Sequence, residues 1–289
     1  MKNYTEKEIQ CFLQSLNFMH NKKLNKLIRA FGSCTGILTA SEADLSDLLP
    51  PEEAVSVLSK INSTDITAPL RELCDKNIQY YIMSDPGYPE QLKHIPSPPP
   101  SIYVRGQLPD VFLPKVAIIG ARNCTAYGSQ MAKEYARVLA NNNIPIISGM
   151  ARGIDGIAEL AAINAGGYTC SVLGCGVDIC YPKENRIIYD SSLKNGGIIS
   201  EYPPGTAPHP KLFPPRNRII SGLADAVLVI EARERSGTLI TVNMALDQGR
   251  DVYALPGRTT DSLSYGCNML IKEGILTKAE AKRMIPRAK

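Results

Sequence analysis

No apolar run in this chain approaches the ~18–20 residues that a membrane span needs. The opening stretch, Met1-Lys2-Asn3-Tyr4-Thr5-Glu6-Lys7, also lacks the apolar centre of a signal peptide. Both absences make the cytoplasm the expected location. No CxxC pair occurs among the eight cysteines, and the three histidines stand far apart. Tight zinc spacings are therefore missing. Cys170, Cys175 and Cys180 are evenly spaced but too loosely for such a site, and the cysteines read as reduced, mostly core thiols. No metal and no cofactor is expected. The chain has no GxxxxGK[ST] loop, no GxSxG elbow and no HExxH, which removes P-loop NTPases, α/β-hydrolases and zincins. Gly120-Ala-Arg-Asn-Cys-Thr-Ala-Tyr-Gly128 does not fit GxGxxG, and no ribose-binding acid follows at the expected distance. No nucleophile and base pair emerges, so the expectation is a protein that is not an enzyme.

What is present is 289 residues, 44% hydrophobic and 21% charged, enough for a substantial core and more than one domain. Charge is unevenly spread. Residues 1–110 hold 11 basic and 13 acidic side chains, whereas residues 111–289 hold 21 basic and 15 acidic. The later part alone has a mild bias toward an anionic partner.

Residues 1–65 read as a small all-helical domain. Ile9, Phe12, Leu13 and Leu16 form one helical stripe, and Leu24, Leu27, Ile28 and Phe31 another, stopped by Gly32. Ser41 and Ser46 are placed as N-caps of short helices. Residues 66–110 form a Pro- and Tyr-rich connector with short strands at Gln79–Met83 and Ser101–Val104. From 111 to 289, short β-rich runs alternate with helical stretches. The runs are Val116–Ile119, Pro145–Ser148, Thr169–Leu173, Gly197–Ser200, Ala226–Ile230 and Asp251–Ala254. The helical stretches are 127–141, 153–165, 183–194, 213–223 and 238–248. The pattern is α/β: a doubly wound, mostly parallel, Rossmann-like sheet covered on both faces.

Such sheets bind ligands beyond the carboxyl ends of their strands. After successive runs come Gly120–Gly128, Ser148–Gly156, Gly174–Asn185, Glu201–Arg218 and Glu231–Thr238. Each joins small residues to the start of a helix, where backbone N–H groups and the helix dipole favour an anion. Arg122, Arg152, Lys183, Arg216, Arg218 and Arg235 lie in or beside these loops. Several anion sites on one edge suit a polyanion. Each part also has a plainer reading. The glycines fit turn geometry, Arg218 an ion pair, Asp155 and Asp178 helix caps, and Glu201 and Glu231 hydrogen-bonded structural acids.

These segments together resemble the DprA/Smf family of DNA-processing proteins. The resemblance rests on VAIIGAR (116–122), SGMARGID (148–155), VLGCGVDICYPKEN (172–185), SEYPPGT (200–206), FPPRNRIISGL (213–223), ERSGTLIT (234–241), QGRDVYALPG (248–257) and GCNMLIKEG (266–274). It implies a non-catalytic protein that binds and protects single-stranded DNA, loads the RecA recombinase during natural transformation, and forms a homodimer. It implies phosphate contact by Arg122, and a neighbouring helix N-terminus lined by Arg152 and Gly153. Lys183 and Asn185 would supply a charge and a polar contact, and Arg216, Asn217 and Arg218 a basic floor. Ser236, Gly237 and Thr238 would form another phosphate nest. Tyr181 and Phe213 are candidates for base stacking, Phe213 alternatively for the core. Two departures stand out. Ala121 occupies a position where the family commonly has Ser or Thr. The helical domain resembles the family's SAM-like domain, but Phe18–Lys23 lacks the glycine hairpin suited to duplex DNA. A short final helix over Lys278–Met284 and no C-terminal winged helix are expected. The competing class is a nucleotide-processing Rossmann enzyme of the LOG or molybdenum-cofactor-carrier type. Its PGGxGT signature is replaced here by Glu234-Arg-Ser-Gly-Thr238.

Overall fold

The structure is a computed structural model describing residues 4–274. The expected helix at Lys278–Met284 lies outside the described residues. The chain divides into two compact units, Met1–Tyr88 with Pro99–Tyr103, and Pro89–Pro98 with Val104–Lys289.

The first unit is a helical bundle with a strand. Its helices are α1 (Glu6–Ser15), α2 (Asn21–Phe31), α3 (Cys34–Leu38), α4 (Glu42–Ser46), α5 (Pro51–Ser63) and α6 (Ala68–Asp75), followed by β1 (Gln79–Ile82). Thr5 starts α1 with a capping box: its hydroxyl accepts from the Glu8 N–H at 3.2 Å, and its own N–H donates to the Glu8 carboxylate at 2.7 Å. Gly32 ends α2 at φ +78°, a conformation glycine adopts without strain. The two sequence stripes meet: Ile9, Phe12, Leu13, Leu24 and Leu27 are buried together with Ile37, Leu45 and Val57. Two buried glutamines of α1 bind the strand region. Gln10 donates to the Pro100 carbonyl at 2.9 Å, and the Gln14 side-chain oxygen accepts from Tyr80 and Ser101, each at 2.6 Å. Ser41 caps α4 as expected, but Ser46 is the last residue of that helix and caps nothing. The next helix instead begins at Pro51, whose fixed φ and missing N–H suit a first helical position.

The second unit opens with the short α7 (Glu90–Lys93), and β2 (Ser101–Gly106) leads into it. A βα alternation follows: β3 (Val116–Ile119), α8 (Ala126–Asn141), β4 (Ile146–Ser148), α9 (Ile154–Asn164), β5 (Thr169–Val172), α10 (Arg186–Asn195), β6 (Gly197–Ser200), α11 (Phe213–Leu223), β7 (Ala226–Val229), α12 (Gly237–Asp247), β8 (Asp251–Ala254) and α13 (Tyr265–Lys272). The expected strands therefore form within a residue or two. The helix expected from 183 starts later, because Lys183–Asn185 make a separate 3-10 turn. All six strands pair in parallel in the order β6-β5-β4-β3-β7-β8. Register places Ala117 beside both Ile147 and Val227. The chain moves outward from β3 to β6, then returns to β7 on the other side of β3. Right-handed crossovers put α8, α9 and α10 on one face and α11 and α12 on the opposite one. Ile118, Ile146 and Leu228 of the sheet pack against Met131, Tyr135, Ile154 and Ala158 of α8 and α9. Residues buried from both sides explain the uninterrupted apolar strands.

Leu24 is fully buried in the first unit. Leu24→Ala is expected to destabilise that unit by about 2–5 kcal/mol, through lost burial and a cavity. Urea unfolding followed by helical circular dichroism measures it.

Candidate functional site

Strand order reverses between β3 and β7, and there the loops leaving neighbouring strands diverge. A cleft of about 420 Å³ occupies this crevice. The β3 loop contributes Gly120, Ala121, Arg122 and Asn123. The β7 loop and the start of α12 contribute Arg233, Ser236, Gly237 and Thr238. Phe213, Arg216 and Asn217 enter from α11. A second cleft of about 210 Å³ lies alongside, lined by Arg122, Asn123, Gly149, Arg152, Tyr181, Phe213 and Arg216. Arg122 borders both.

The shared wall is built on Phe213. The Tyr181 ring stacks on it with centroids 5.6 Å apart. The Arg122 guanidinium lies 5.7 Å from its centroid, and Arg216 lies 5.9 Å from it. Aromatic faces attract cations, so the ring holds Arg122 at the cleft boundary. Tyr181 keeps 43% of its surface exposed at the rim of the second cleft.

Beneath the clefts is a buried charged cluster. Arg216 is 3% exposed, and its Nη1 donates to the carbonyls of Gly149, at 3.0 Å, and Val172. Its charge balances Asp155 in the first turn of α9, which accepts from the Gly120 and Gly149 amides. Burial pushes the Asp155 carboxyl up, and Arg216 opposes that rise. Burial also pushes the neighbouring Glu159 up to about 8, against the 2.6 Å hydrogen bond it accepts from Ser171. Gly149 has no room for a side chain: a Cβ there would sit 2.7 Å from Arg216 and 2.8 Å from Asp155.

Other acids lock the loops. Glu201, at the end of β6, takes a two-pronged ion pair from Arg218 at 2.6 and 2.7 Å. Glu231, at the end of β7, accepts from the Thr125 hydroxyl and from the Thr125 N–H at 3.0 Å. Thr125 in turn caps α8 by accepting from the Gly128 N–H at 3.0 Å. The α8 N-terminus is thereby satisfied within the protein, whereas α12 starts with no side-chain cap.

The structure brings most of the sequence-derived residues to one place. Arg122, Arg216, Asn217, Ser236, Gly237 and Thr238 line the first cleft, and Arg122, Arg152 and Arg216 the second. Arg152 is exposed and paired with Glu184. Gly153, Lys183, Asn185 and Arg218 line neither cleft. Gly153 holds φ +73° against the Ala121 and Arg122 carbonyls, a turn that excludes any Cβ. Asn185 donates its amide to the Met150 and Ala151 carbonyls, at 2.9 and 3.1 Å. Lys183 stays exposed beside the second cleft's Tyr181 and Pro182. Asn123 and Arg233 are lining residues that the sequence did not single out. Each shares a loop with a residue that it did, and that shared loop was the available signal. Among the described residues, no group of three or more His, Cys, Asp or Glu side chains could hold a metal ion.

The fold defines a Rossmann-like module with two adjacent clefts at its switch point. A sequence model described as DNA recombination-mediator protein A matches residues 79–288. The chain belongs to that family, which includes the proteins called DprA and Smf. It is 43% identical to the DNA processing protein DprA of Streptococcus pneumoniae over 190 residues, covering 66% of this chain and 67% of that protein. It is 41% identical to the Smf protein of Synechocystis over 209 residues, covering 71% of this chain but only 52% of the relative. The crystal structure of DNA processing protein A from S. pneumoniae superposes with a TM-score of 0.81 at 32% identity, covering 99% of both chains. DNA processing protein A from Helicobacter pylori, studied for its single-stranded DNA binding mode, matches with a TM-score of 0.63 at 30% identity, over 72% of this chain and 94% of that one.

Two measurements check the cluster. Glu159 has a folded pKa above its unfolded value, so the native state holds the extra proton between pH 4.5 and about 8. Stability therefore falls as pH rises through that window and levels off above it. Glu159→Gln should flatten the decline of Tm with pH. Arg218→Ala leaves the Glu201 carboxylate, 4% exposed, without its cation. The expected loss is about 3–5 kcal/mol of stability, read by thermal unfolding.

Proposed function

We propose that this protein is a non-catalytic binder of single-stranded DNA that protects the strand and loads a RecA-type recombinase onto it. One observation carries the reading. Arg122 joins two adjacent clefts, one ending on the uncapped N-terminus of α12, the other walled by the stacked Tyr181 and Phe213. Phosphates and bases alternate along a single strand, and this edge alternates the groups that receive them. Arg122, Arg152 and Lys183 supply positive charge. Ser236, Gly237 and Thr238 supply hydroxyls and amides, and Asn217 an amide edge. Arg216, Arg218, Asn185 and Gly153 act from below by fixing the loops. Phosphate contacts of this kind hold a strand without reading its sequence. The H. pylori relative's single-stranded DNA binding supports the choice of ligand. Family membership supports the recombination role.

The assembly we propose is a cytoplasmic homodimer. Leu246 on α12 and Met269 on α13 are exposed apolar side chains that support it. No helix among the described residues is long and apolar enough to cross a membrane.

Arg122→Ala and Lys183→Ala should each weaken binding to oligo-dT, with the slope of log K against log salt reduced by about one unit apiece. Gel shifts at several salt concentrations measure this. Wild-type behaviour in both variants would remove the edge as the binding surface. Turnover of nucleotide or DNA that is lost with Arg122 would remove the non-catalytic reading.

A further inference from the structure

The first cleft is larger and better supplied with donors than an internal phosphate of a strand requires. Its volume, about 420 Å³, lies within the ~300–1,000 Å³ of small-ligand sites. At its base, α12 runs for 11 residues and begins uncapped. Ser236 occupies the N-cap position, yet its buried Oγ has no hydrogen-bond partner among the described residues. Thr238, only 9% exposed, lines the cleft, and its hydroxyl makes no hydrogen bond among the described residues. Two hydroxyls and the first-turn amides thus meet at the start of α12 without partners among the described residues. Arg122 and Arg233 border the same space, and neither is in an ion pair among the described residues. Asp155 also reaches the lining, but Arg216 and two backbone amides hold its charge. The remaining walls carry the aliphatic Ile220, Ile240 and Leu263 and the Phe213 ring beside the Asp155-balanced Arg216, with the amide groups of Asn123 and Asn217 between them.

We propose that this cleft is a site for one nucleotide carrying a phosphomonoester. A phosphodiester has one negative charge. A phosphomonoester has about 1.5–2 near neutral pH and three free oxygens. Two guanidiniums, two hydroxyls and a helix N-terminus match the second group. The aliphatic walls and the two asparagines receive its sugar and base. Two sources present this chemistry, a phosphorylated strand end and a free nucleoside monophosphate. The strand-end form rests on the single-stranded DNA reading above, and the nucleotide site does not.

The test uses the full chain and oligo-dT of one length in three forms: 5′-phosphorylated, 3′-phosphorylated and unphosphorylated. Thymidine monophosphate and inorganic phosphate are titrated separately by calorimetry. One phosphorylated oligonucleotide should bind about tenfold tighter than the unphosphorylated one, as charge-assisted hydrogen bonds of this number imply. Thymidine monophosphate should bind measurably tighter than inorganic phosphate. Ser236→Ala and, separately, Thr238→Val should bring the ratio between phosphorylated and plain oligonucleotides toward one. Two variants guard against one failing to fold. Equal binding of all three oligonucleotides, with no binding of thymidine monophosphate, overturns the site while leaving strand binding intact. Binding of the mononucleotide alone supports the site and removes the strand reading. Inorganic phosphate binding as tightly as the mononucleotide overturns the nucleotide assignment.

Discussion

The proposed binding edge depends on one buried guanidinium. Arg216 comes from α11, on the return crossover from β6 to β7, and donates to carbonyls just after β4 and at the end of β5. It faces Asp155 from α9, whose carboxylate takes amides from the loops after β3 and β4. One charge therefore gathers four strand-to-helix segments that the sequence scatters over about a hundred residues. Removing a partner from such a cluster would leave an uncompensated charge in the interior, which is costly. The cluster is thus a constraint on geometry: it fixes how far apart the loops stand, and so how wide the clefts open. Phe213, three residues before Arg216, places the aromatic wall from the same helix turn.

The strands and most helices were legible because their signals are local. Val116–Ile119 and Ala226–Val229 are short apolar runs set between helical stretches, as a sheet buried on both faces requires. Gly32 ended its helix for the reason glycine commonly does. Ser46 misled because a serine near a helical stretch resembles a cap, while the adjacent proline pair decides where the helix starts. The late start of α10 has a similar origin in Pro182 and the tight turn after it.

That the loops after successive strands gather on one edge was legible, but the division of labour within that edge was not. Arg216 and Arg218 look alike in Pro-Pro-Arg-Asn-Arg. One is buried under the clefts, and the other is paired with Glu201, 17 positions earlier in the chain. Asn185 reads as a strand contact until its amide is seen to hold the carbonyls of Met150 and Ala151, 35 and 34 positions back. These partners are set by tertiary packing, which no local pattern encodes. The proposed strand contacts of Arg122 and of Ser236–Thr238 lie at loop tips, where local composition and position coincide.

The Glu231 carboxylate on Thr125 has a further consequence. It reaches from the β7 loop to the start of α8 and answers that helix's N-cap from within the protein, while the start of α12 has no side-chain cap. The two helix starts that follow β3 and β7 are therefore not equivalent toward an anion in the crevice between those strands. A charged chain laid along it meets a field with a direction, and reversing the chain is not a symmetric operation.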